Sequence, residues 1–189
     1  ANYSVKGIGV DNDETLLAIA AADSLLVGEE VKLFHQDSLQ DLLVDPVDYV
    51  VSDLPVGYYP NDQQAEKFMT HSEKEHSYAH HLLIEQAMNY VKSDGFGLFL
   101  VPSNFLETEQ GPLLQKWLKD EVFLQGIIQL PDELFKSEHS RKSILLLQKK
   151  GETAEQAEKV LLVHLPSLKN PTNVTEFFKK FEDWKSSNL

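Results

Sequence analysis

A nearly continuous apolar run over residues 96–101 limits the possible folds more than any other feature of the sequence. A strand with one solvated face alternates apolar and polar residues, whereas a parallel strand covered on both faces reads as an unbroken apolar run. Other short strand patterns alternate along the chain with helical patterns. This succession predicts an α/β fold with a doubly wound, mainly parallel sheet.

The predicted elements divide the chain into a larger and a smaller part. Strands are expected over residues 5–10, 32–35, 49–51, 96–101, 122–129, 143–148 and 160–164. Helices are expected from Asn12 or Asp13 to about Leu26, and over residues 39–43, 78–91, 112–119 and 174–185. We assign residues 1–150 to the α/β core, and residues 151–189 to a C-terminal strand and an amphipathic helix that pack on it.

Two connections are predicted from their composition. Ser93, Asp94 and Gly95 are expected to end the helix over residues 78–91. The polar stretch 61–74 is expected to form a mobile loop over the site.

Residues 48–60 join a strand pattern to a loop that contains proline and glycine. The strand pattern places Asp53 at its carboxyl end, and ligands of open α/β sheets bind at that edge. Pro55 stiffens the loop, because it fixes its own φ and favours an extended Leu54. Tyr58 follows, with a ring that is able to stack on a flat group. The plainer interpretation is that Asp53 caps a turn and the tyrosines pack on the sheet.

The stretch Asp53-Leu54-Pro55-Val56 resembles the catalytic loop of amino-methyltransferases that use S-adenosylmethionine. That loop reads Asn, Asp or Ser, then two prolines, then an aromatic residue. Asp53 and Pro55 match it, whereas Leu54 replaces a proline and Val56 replaces the aromatic residue. The continuation Gly-Tyr-Tyr-Pro resembles the YtxK-like group of bacterial methylase homologues, which departs from the motif in the same way.

The order of elements over residues 5–150 resembles the adenine-modifying subunits of type I restriction systems. The resemblance includes the Leu-Pro and Leu-Phe pairs of residues 130–135 and the final strand that begins Lys-Ser-Ile. It implies a class I methyltransferase-like, Rossmann-like fold. In that fold a first strand with a glycine-rich loop lies between the strand ending at Asp11 and the strand ending at Asp53. No such strand precedes Val5, so we expect the first strand to be missing from this chain.

The resemblance also implies a reaction and its catalytic residues. The reaction is in-line transfer of a methyl group from S-adenosylmethionine to an exocyclic amine, with adenine in DNA as the substrate, and positioning supplies most of the rate. The Asp53 side chain and the Leu54 carbonyl would accept hydrogen bonds from the amine, on a loop stiffened by Pro55. Tyr58 is the candidate to replace the stacking ring that Val56 lacks, a contact that stabilises a base by roughly 1–3 kcal/mol.

Two other strand ends are assigned to the cofactor by the same resemblance. Asp11, followed by Asn12, matches the acid that holds the ribose hydroxyls. Asp37, followed by Ser38, matches the stretch whose acid contacts the adenine. Each acid has a plainer alternative as the N-cap of a helix, which for Asp37 is the short helix expected over residues 39–43.

Four histidines between residues 71 and 81 suggest a metal site. His76 and His80 share a helix face, as paired zinc ligands do. Ser77 stands where the zinc-protease motif has its glutamate, and no third ligand is evident. We therefore predict no metal site, and assign His71, His76, His80 and His81 to the core or rim of a helix.

The charge of the chain argues against DNA binding by this chain alone. It has 30 acidic and 17 basic residues, a net charge of -13, and Arg141 as its single arginine. Phosphate contacts and guanine readout both depend on basic side chains, so DNA would be held through parts absent from this chain. Two other functions stay open: a module without catalysis, favoured by Leu54 and Val56, and methylation of a protein side-chain amide, which needs no basic groove.

Cellular location and assembly are predicted from what the sequence lacks. It has no cysteine and no run near the ~18 apolar residues of a membrane span, so we expect a cytoplasmic protein with no membrane partner. Ala1 is interpreted as a cut in a longer protein. Without the first strand, we expect unpaired sheet edges, a homodimer through them or a rearranged sheet, and no well-formed methionine pocket.

Overall fold

The computed structural model describes residues 5–189, which fall into two compact units. The first unit ends at Val44, and the second runs from Asp45 to Leu189. Strands and helices alternate along the chain, so the predicted α/β class is confirmed.

The described residues form seven strands and five α-helices. The strands are β1 (Gly7–Asp11), β2 (Val31–His35), β3 (Val47–Asp53), β4 (Val91–Pro102), β5 (Val122–Gln129), β6 (Lys142–Lys149) and β7 (Leu161–His164). The helices are α1 (Glu14–Val27), α2 (Asp62–Ala65), α3 (Ala79–Asn89), α4 (Gly111–Glu121) and α5 (Pro171–Asn188). Short 3-10 helices over Asp132–Leu134 and Glu138–Ser140 precede β6.

The first unit is a parallel two-stranded sheet, β1–β2, whose strands are linked by α1. The Asp13 carboxylate accepts hydrogen bonds from two backbone N–H groups in the first turn of α1, so Asp13 and not Asn12 is its cap. Gly28 ends the helix in the left-handed conformation, with φ of 76°. Within α1 itself no residue is buried, and the predicted apolar side, which includes Leu16 and Leu25, is exposed.

Residues 39–43 form no helix, so that prediction is wrong. The Asp37 carboxylate accepts a hydrogen bond from the Leu39 backbone N–H at 2.9 Å, and the Asp37 carbonyl accepts one from Gln40. These bonds close a turn over a buried Leu39. Pro46 follows closely and disfavours a helical residue before it, so too few residues remain for a stable helix.

The second unit contains a five-stranded sheet in the order β3-β4-β6-β5-β7. β3 pairs in parallel with β4, and β7 pairs in parallel with β5. β6 lies between β4 and β5 and runs antiparallel to both. Four strands therefore point the same way and β6 is reversed, as a mainly parallel sheet requires. Among the described residues β1 pairs with β2 alone and β3 with β4 alone, so no strand joins the two sheets.

The core of the second unit lies between this sheet and helices α3 and α4. Phe99 and Leu145 on the central strands are fully buried, together with Met88 of α3 and Leu114 of α4. Both helices pack on one face, and on the other face of β4 Leu98 is 38% exposed. The prediction that this strand is covered on both faces is therefore wrong for the part of the chain that the structure describes.

A β-bulge in β4 stands where residues 93–95 were predicted to end a helix. The helix ends earlier, at Asn89, and the register between β3 and β4 slips so that two steps along β3 correspond to five along β4. Asp94 has a left-handed backbone, with φ of 68°. Its carboxylate accepts hydrogen bonds from the backbone N–H groups of Thr153 and Ala154, and these bonds lower the pKa of the Asp94 carboxyl.

The polar stretch 61–74, which was predicted to be a mobile loop over the site, makes several contacts with α3. Its first turn forms α2, and Phe68 is buried. The Glu85 carboxylate of α3 accepts hydrogen bonds from the backbone N–H groups of Met69 and Thr70, both at 2.9 Å. A buried ring and two charge-assisted bonds fix this segment to α3.

The C-terminal strand and helix form as predicted, within a few residues. β7 pairs in parallel with β5, and Phe177, Phe181 and Trp184 form a row of ring contacts along the half-buried side of α5. Phe178 meets the Phe177 ring edge to face, with ring centroids 5.6 Å apart, but it is 57% exposed. A groove of about 330 Å³ lies between β7 and α5. None of the helices in residues 5–189 is long and apolar enough to cross a membrane.

Candidate active site

Asp53 is the last residue of β3, at the carboxyl end of the strand as predicted. The next residue, Leu54, extends the ladder by one hydrogen bond, from its backbone N–H to the Leu100 carbonyl at 3.0 Å. The Leu54 side chain is 2% exposed and belongs to the core cluster. Leu54 therefore uses its side chain to anchor the start of the loop in the core, at the position where the related motif has a proline.

The loop after Leu54 is tied to the start of α3. The Gly57 carbonyl accepts a hydrogen bond from the Ala79 backbone N–H at 2.9 Å, and the Tyr59 backbone N–H donates to the Ser77 carbonyl at 2.8 Å. Gly57 has φ of 123°, a conformation that side-chain-bearing residues rarely adopt. The backbone beside Asp53 is thus fixed by hydrogen bonds in addition to Pro55.

Tyr58 stacks on Tyr78, with ring centroids 4.7 Å apart and planes 18° from parallel. The Tyr58 and Tyr78 hydroxyls share a hydrogen bond at 3.4 Å. This hydrogen bond, aided by burial, raises the pKa of Tyr78 to about 12, so Tyr78 stays neutral at physiological pH. Tyr58 is 52% exposed and Val56 is 70% exposed, so an aromatic surface and an aliphatic one flank the loop.

Lys142 is the site residue that sequence reasoning missed. Its ammonium donates a hydrogen bond to Asp53 Oδ1 and lies 3.5 Å from the Leu54 carbonyl oxygen. The Lys142 side chain is 21% exposed, against 65% for Asp53. The two oxygens that the sequence assigns to the substrate amine are therefore both within reach of one lysine nitrogen.

The reversed direction of β6 brings Lys142 to this edge. As the first residue of an antiparallel strand, it lies at the carboxyl end of β3, β4 and β5. Asp53 pairs with Leu100, and Leu100 pairs with Ile144, two residues beyond Lys142. Paired residues and residues two apart share a face of a sheet, so Lys142 can reach across β4 to Asp53. The sequence signal was a lysine opening the last strand of the core.

The predicted cofactor residues lie together at the carboxyl edge of the first unit. Asp11 ends β1, and its Oδ1 accepts a hydrogen bond from the Asp13 backbone N–H at 2.8 Å. Asn12 follows, and its carbonyl is 3.1 Å from His35 Nε2. Asp37 and Ser38 lie just beyond β2, where the Ser38 hydroxyl is 3.5 Å from the Val10 carbonyl.

The chemistry of this edge fits a nucleoside. Asp11 and Asp37 are both half-buried, and each already accepts a hydrogen bond from a nearby backbone N–H, which fixes its carboxylate. Carboxylate oxygens accept from ribose hydroxyls and from an adenine amine. Asp11 is not the cap of α1, since Asp13 holds that position, so the plainer alternative for Asp11 is wrong.

His80 and His81 of α3 are buried in the core, as predicted, whereas His71 and His76 precede the helix, so the prediction that His76 and His80 share a helix face is wrong. His80 and His81 are 2% and 0% exposed, and their rings meet edge to face at 4.5 Å. His76 instead bonds to Asp62 at 2.8 Å on the surface. Over residues 5–189 no group of three or more His, Asp or Glu side chains is placed to hold a metal ion.

Comparison with known proteins identifies the class and then the family. The α/β sheet, with an Asp-x-Pro loop at the end of β3, is that of a class I methyltransferase-like protein. A structure from Listeria monocytogenes, assigned as a class I S-adenosylmethionine-dependent methyltransferase, matches with a TM-score of 0.85 and 42% identity over 94% of this chain. The chain belongs to the N-6 DNA methylase family, whose model matches residues 2–184.

Two further relatives define the extent of the similarity. The uncharacterized protein YtxK of Bacillus subtilis (strain 168) is 42% identical over 96% of this chain. A modification subunit of a type I restriction enzyme from Vibrio vulnificus has the same fold, with a TM-score of 0.70 and 16% identity over 96% of this chain and 41% of its own. The chain spans about half the length of its two close relatives, 55% in each case.

Proposed function

We propose that the protein to which this chain belongs transfers a methyl group from S-adenosylmethionine to an exocyclic amino group, that of adenine in DNA. The observation that supports this most directly is the pair of acceptors at the end of β3. The Asp53 carboxylate and the Leu54 carbonyl both lie within reach of a single nitrogen, that of Lys142. An amine held by both would have its N–H bonds directed at them and its lone pair directed away.

The chain's own residues supply positioning in this proposal. The hydrogen-bonded loop holds the Leu54 carbonyl still. Asp53 accepts a hydrogen bond from the amine, and it accepts the proton that the nitrogen releases once its bond to the methyl carbon has formed. Tyr58 is exposed and stacks on Tyr78, and we assign it to stack on a base beside the amine. Bound S-adenosylmethionine supplies the methyl group, and we assign Asp11 with Asn12 to its ribose and Asp37 with Ser38 to its adenine.

The choice of DNA as substrate follows the family description and the type I relatives. The net charge of -13 favours a second candidate, methylation of a protein side-chain amide, because such a substrate needs no basic groove. A third candidate is a cofactor-binding module without catalysis. It is favoured by Val56, which leaves an exposed aliphatic side chain where related loops have a stacking ring.

One experiment separates these functions. The full-length protein is incubated with S-adenosylmethionine carrying a labelled methyl group, and transfer to DNA and to protein extract is measured beside calorimetric cofactor affinity. Asp53→Ala should reduce turnover by about 100-fold or more, because the amine loses its orienting acceptor, while cofactor affinity stays near that of the parent. Asp48→Ala is the matched control, since Asp48 is an exposed acid of the same strand. Transfer by Asp53→Ala at the parental rate would refute the catalytic assignment.

A further inference from the structure

The position that the proposed function gives to the substrate amine is filled by a nitrogen of the chain itself. The Lys142 ammonium donates to Asp53 Oδ1 and is 3.5 Å from the Leu54 carbonyl oxygen. An ammonium and an exocyclic amine offer the same kind of N–H donor. A second nitrogen that approaches these two oxygens from the same side would overlap Lys142 Nζ, so lysine and substrate cannot occupy this position together.

We propose that Lys142 occupies the amine position until a substrate displaces it, and that Lys142 is thereby a positioning residue that sets the affinity for the amine. The inference rests on the proposed function, since it takes Asp53 and the Leu54 carbonyl as the amine acceptors. It adds a step that the family reaction does not need: the lysine must leave before the amine can be held.

The backbone of Lys142 is held firmly, so the movement is confined to its side chain. The Lys142 carbonyl accepts a hydrogen bond from the Leu130 backbone N–H at 3.2 Å. The preceding residue, Arg141, pairs with Asp132 at 3.0 Å and with Glu138 at 3.2 Å, which ties the start of β6 to the two 3-10 turns. A lysine has four rotatable side-chain bonds, and rotation about them moves the ammonium without changing the strand.

The pair is open on the side of Asp53. The Asp53 side chain is 65% exposed, whereas that of Lys142 is 21% exposed. A substrate can therefore reach the carboxylate from solvent and replace the lysine there. Because a charge-assisted hydrogen bond is lost in the exchange, small free amines should bind weakly. An amine carried by a large substrate, which makes further contacts, can displace the lysine.

The first test measures binding of a named probe to the full-length protein saturated with S-adenosylhomocysteine. The probe is 2′-deoxyadenosine, and thymidine, which has no exocyclic amine, is the control probe. Lys142→Met keeps the length of the side chain but removes the ammonium. It should bind deoxyadenosine roughly tenfold more tightly than the parent, because the competing hydrogen bond is gone. Thymidine binding should not change.

Two variants show whether the effect belongs to the ammonium at this position. Lys142→Arg keeps a charged donor and should retain the weak affinity of the parent. Lys136→Met removes an exposed lysine of the preceding loop and should also leave the affinity unchanged. Equal, weaker or undetectable deoxyadenosine binding by Lys142→Met would overturn the proposal.

A second measurement reads the ion pair without any methyl transfer. Acetic anhydride acetylates a lysine faster when its side-chain nitrogen is not held by a partner. The labelled sites are quantified by mass spectrometry. Asp53→Asn should raise the labelling rate of Lys142 several-fold relative to Lys136, and deoxyadenosine should raise it in the parent. An unchanged Lys142 rate in Asp53→Asn overturns the inference alone. If both tests succeed and no substrate is ever methylated, the proposed function fails while the displacement of Lys142 by an amine stands.

Discussion

The two buried histidines of α3 should make the stability of this chain strongly dependent on pH between 7 and 5. His80 and His81 are almost fully buried, and no hydrogen-bond partner within the described residues reaches either ring nitrogen of His80 or Nδ1 of His81. Burial, with a smaller contribution from His81, lowers the pKa of His80 from 6.5 to about 3. Burial lowers the pKa of His81 to about 4, although its hydrogen bond to the Phe105 carbonyl opposes this.

The magnitude follows from proton linkage. A histidine whose pKa is lowered in the folded state binds its proton preferentially in the unfolded state, so stability is lost as the pH falls below the unfolded value of 6.5. At pH 5 both rings are still neutral in the folded chain. In the unfolded chain the pH is then 1.5 units below the histidine pKa of 6.5, so protonation stabilises the unfolded state. At about 1.36 kcal/mol per unit, each histidine costs about 2 kcal/mol, and the two together cost about 4 kcal/mol relative to pH 7.

The assay is urea denaturation of the 189-residue chain at pH 7, 6 and 5, followed by circular dichroism. His80 contacts the rings of Tyr78 and His81. His80→Phe puts in its place an aromatic ring that cannot be protonated. It should halve the loss of stability between pH 7 and pH 5. His139→Gln, at an exposed histidine, is the control and should leave the loss unchanged.

The Asp94 carboxyl does not obscure this window. The pKa of Asp94 is lowered by hydrogen bonds from the backbone of Thr153 and Ala154, so its contribution is lost only as the pH falls below the ordinary aspartate value of 3.8. A flat stability profile from pH 7 to pH 5, or an undiminished slope in His80→Phe, would refute the claim that the two rings are buried and neutral.

Three other outcomes are expected. Asp11→Ala in the full-length protein should weaken S-adenosylmethionine binding by about 1.5–3 kcal/mol, because the ribose loses a charged acceptor. Asp23→Ala, at an exposed acid of α1, is the control and should leave the affinity unchanged. Equal calorimetric affinities for Asp11→Ala and the parent would exclude Asp11 from the ribose site. Phe99→Ala should lower the free energy of unfolding, measured in urea, by about 3–5 kcal/mol. Leu98→Ala, on the other face of the same strand, should lower it by about 1 kcal/mol or less. Similar losses of stability in the two variants would contradict a core on one face of β4. The edge strand β3 exposes Val51 (79%), so sedimentation should show concentration-dependent self-association that Val51→Lys reduces. A parental chain that stays monomeric at every concentration would argue against pairing through this edge.

The sequence by itself determined the local structure and one half of the candidate site. The bounds of β5 match the predicted strand at both ends, and Asp53 lies at the carboxyl end of β3 as its pattern required. Such features are local, because strand and helix periods and the conformations of proline and glycine act over a few residues. The resemblance of Asp53-Leu54-Pro55-Val56 to a methyltransferase loop was local in the same sense.

Tertiary structure decided the features that join distant parts of the chain. Lys142 meets Asp53 across 89 positions because β6 is reversed, and neither strand's pattern records its direction or partner. Asp94 was predicted to end a helix, yet it forms a bulge whose acceptor is used by Thr153 and Ala154. His80 shows the same limit: its helix was predicted, but a helical period cannot tell how many sides of a helix are buried, and the neutral ring follows from that burial.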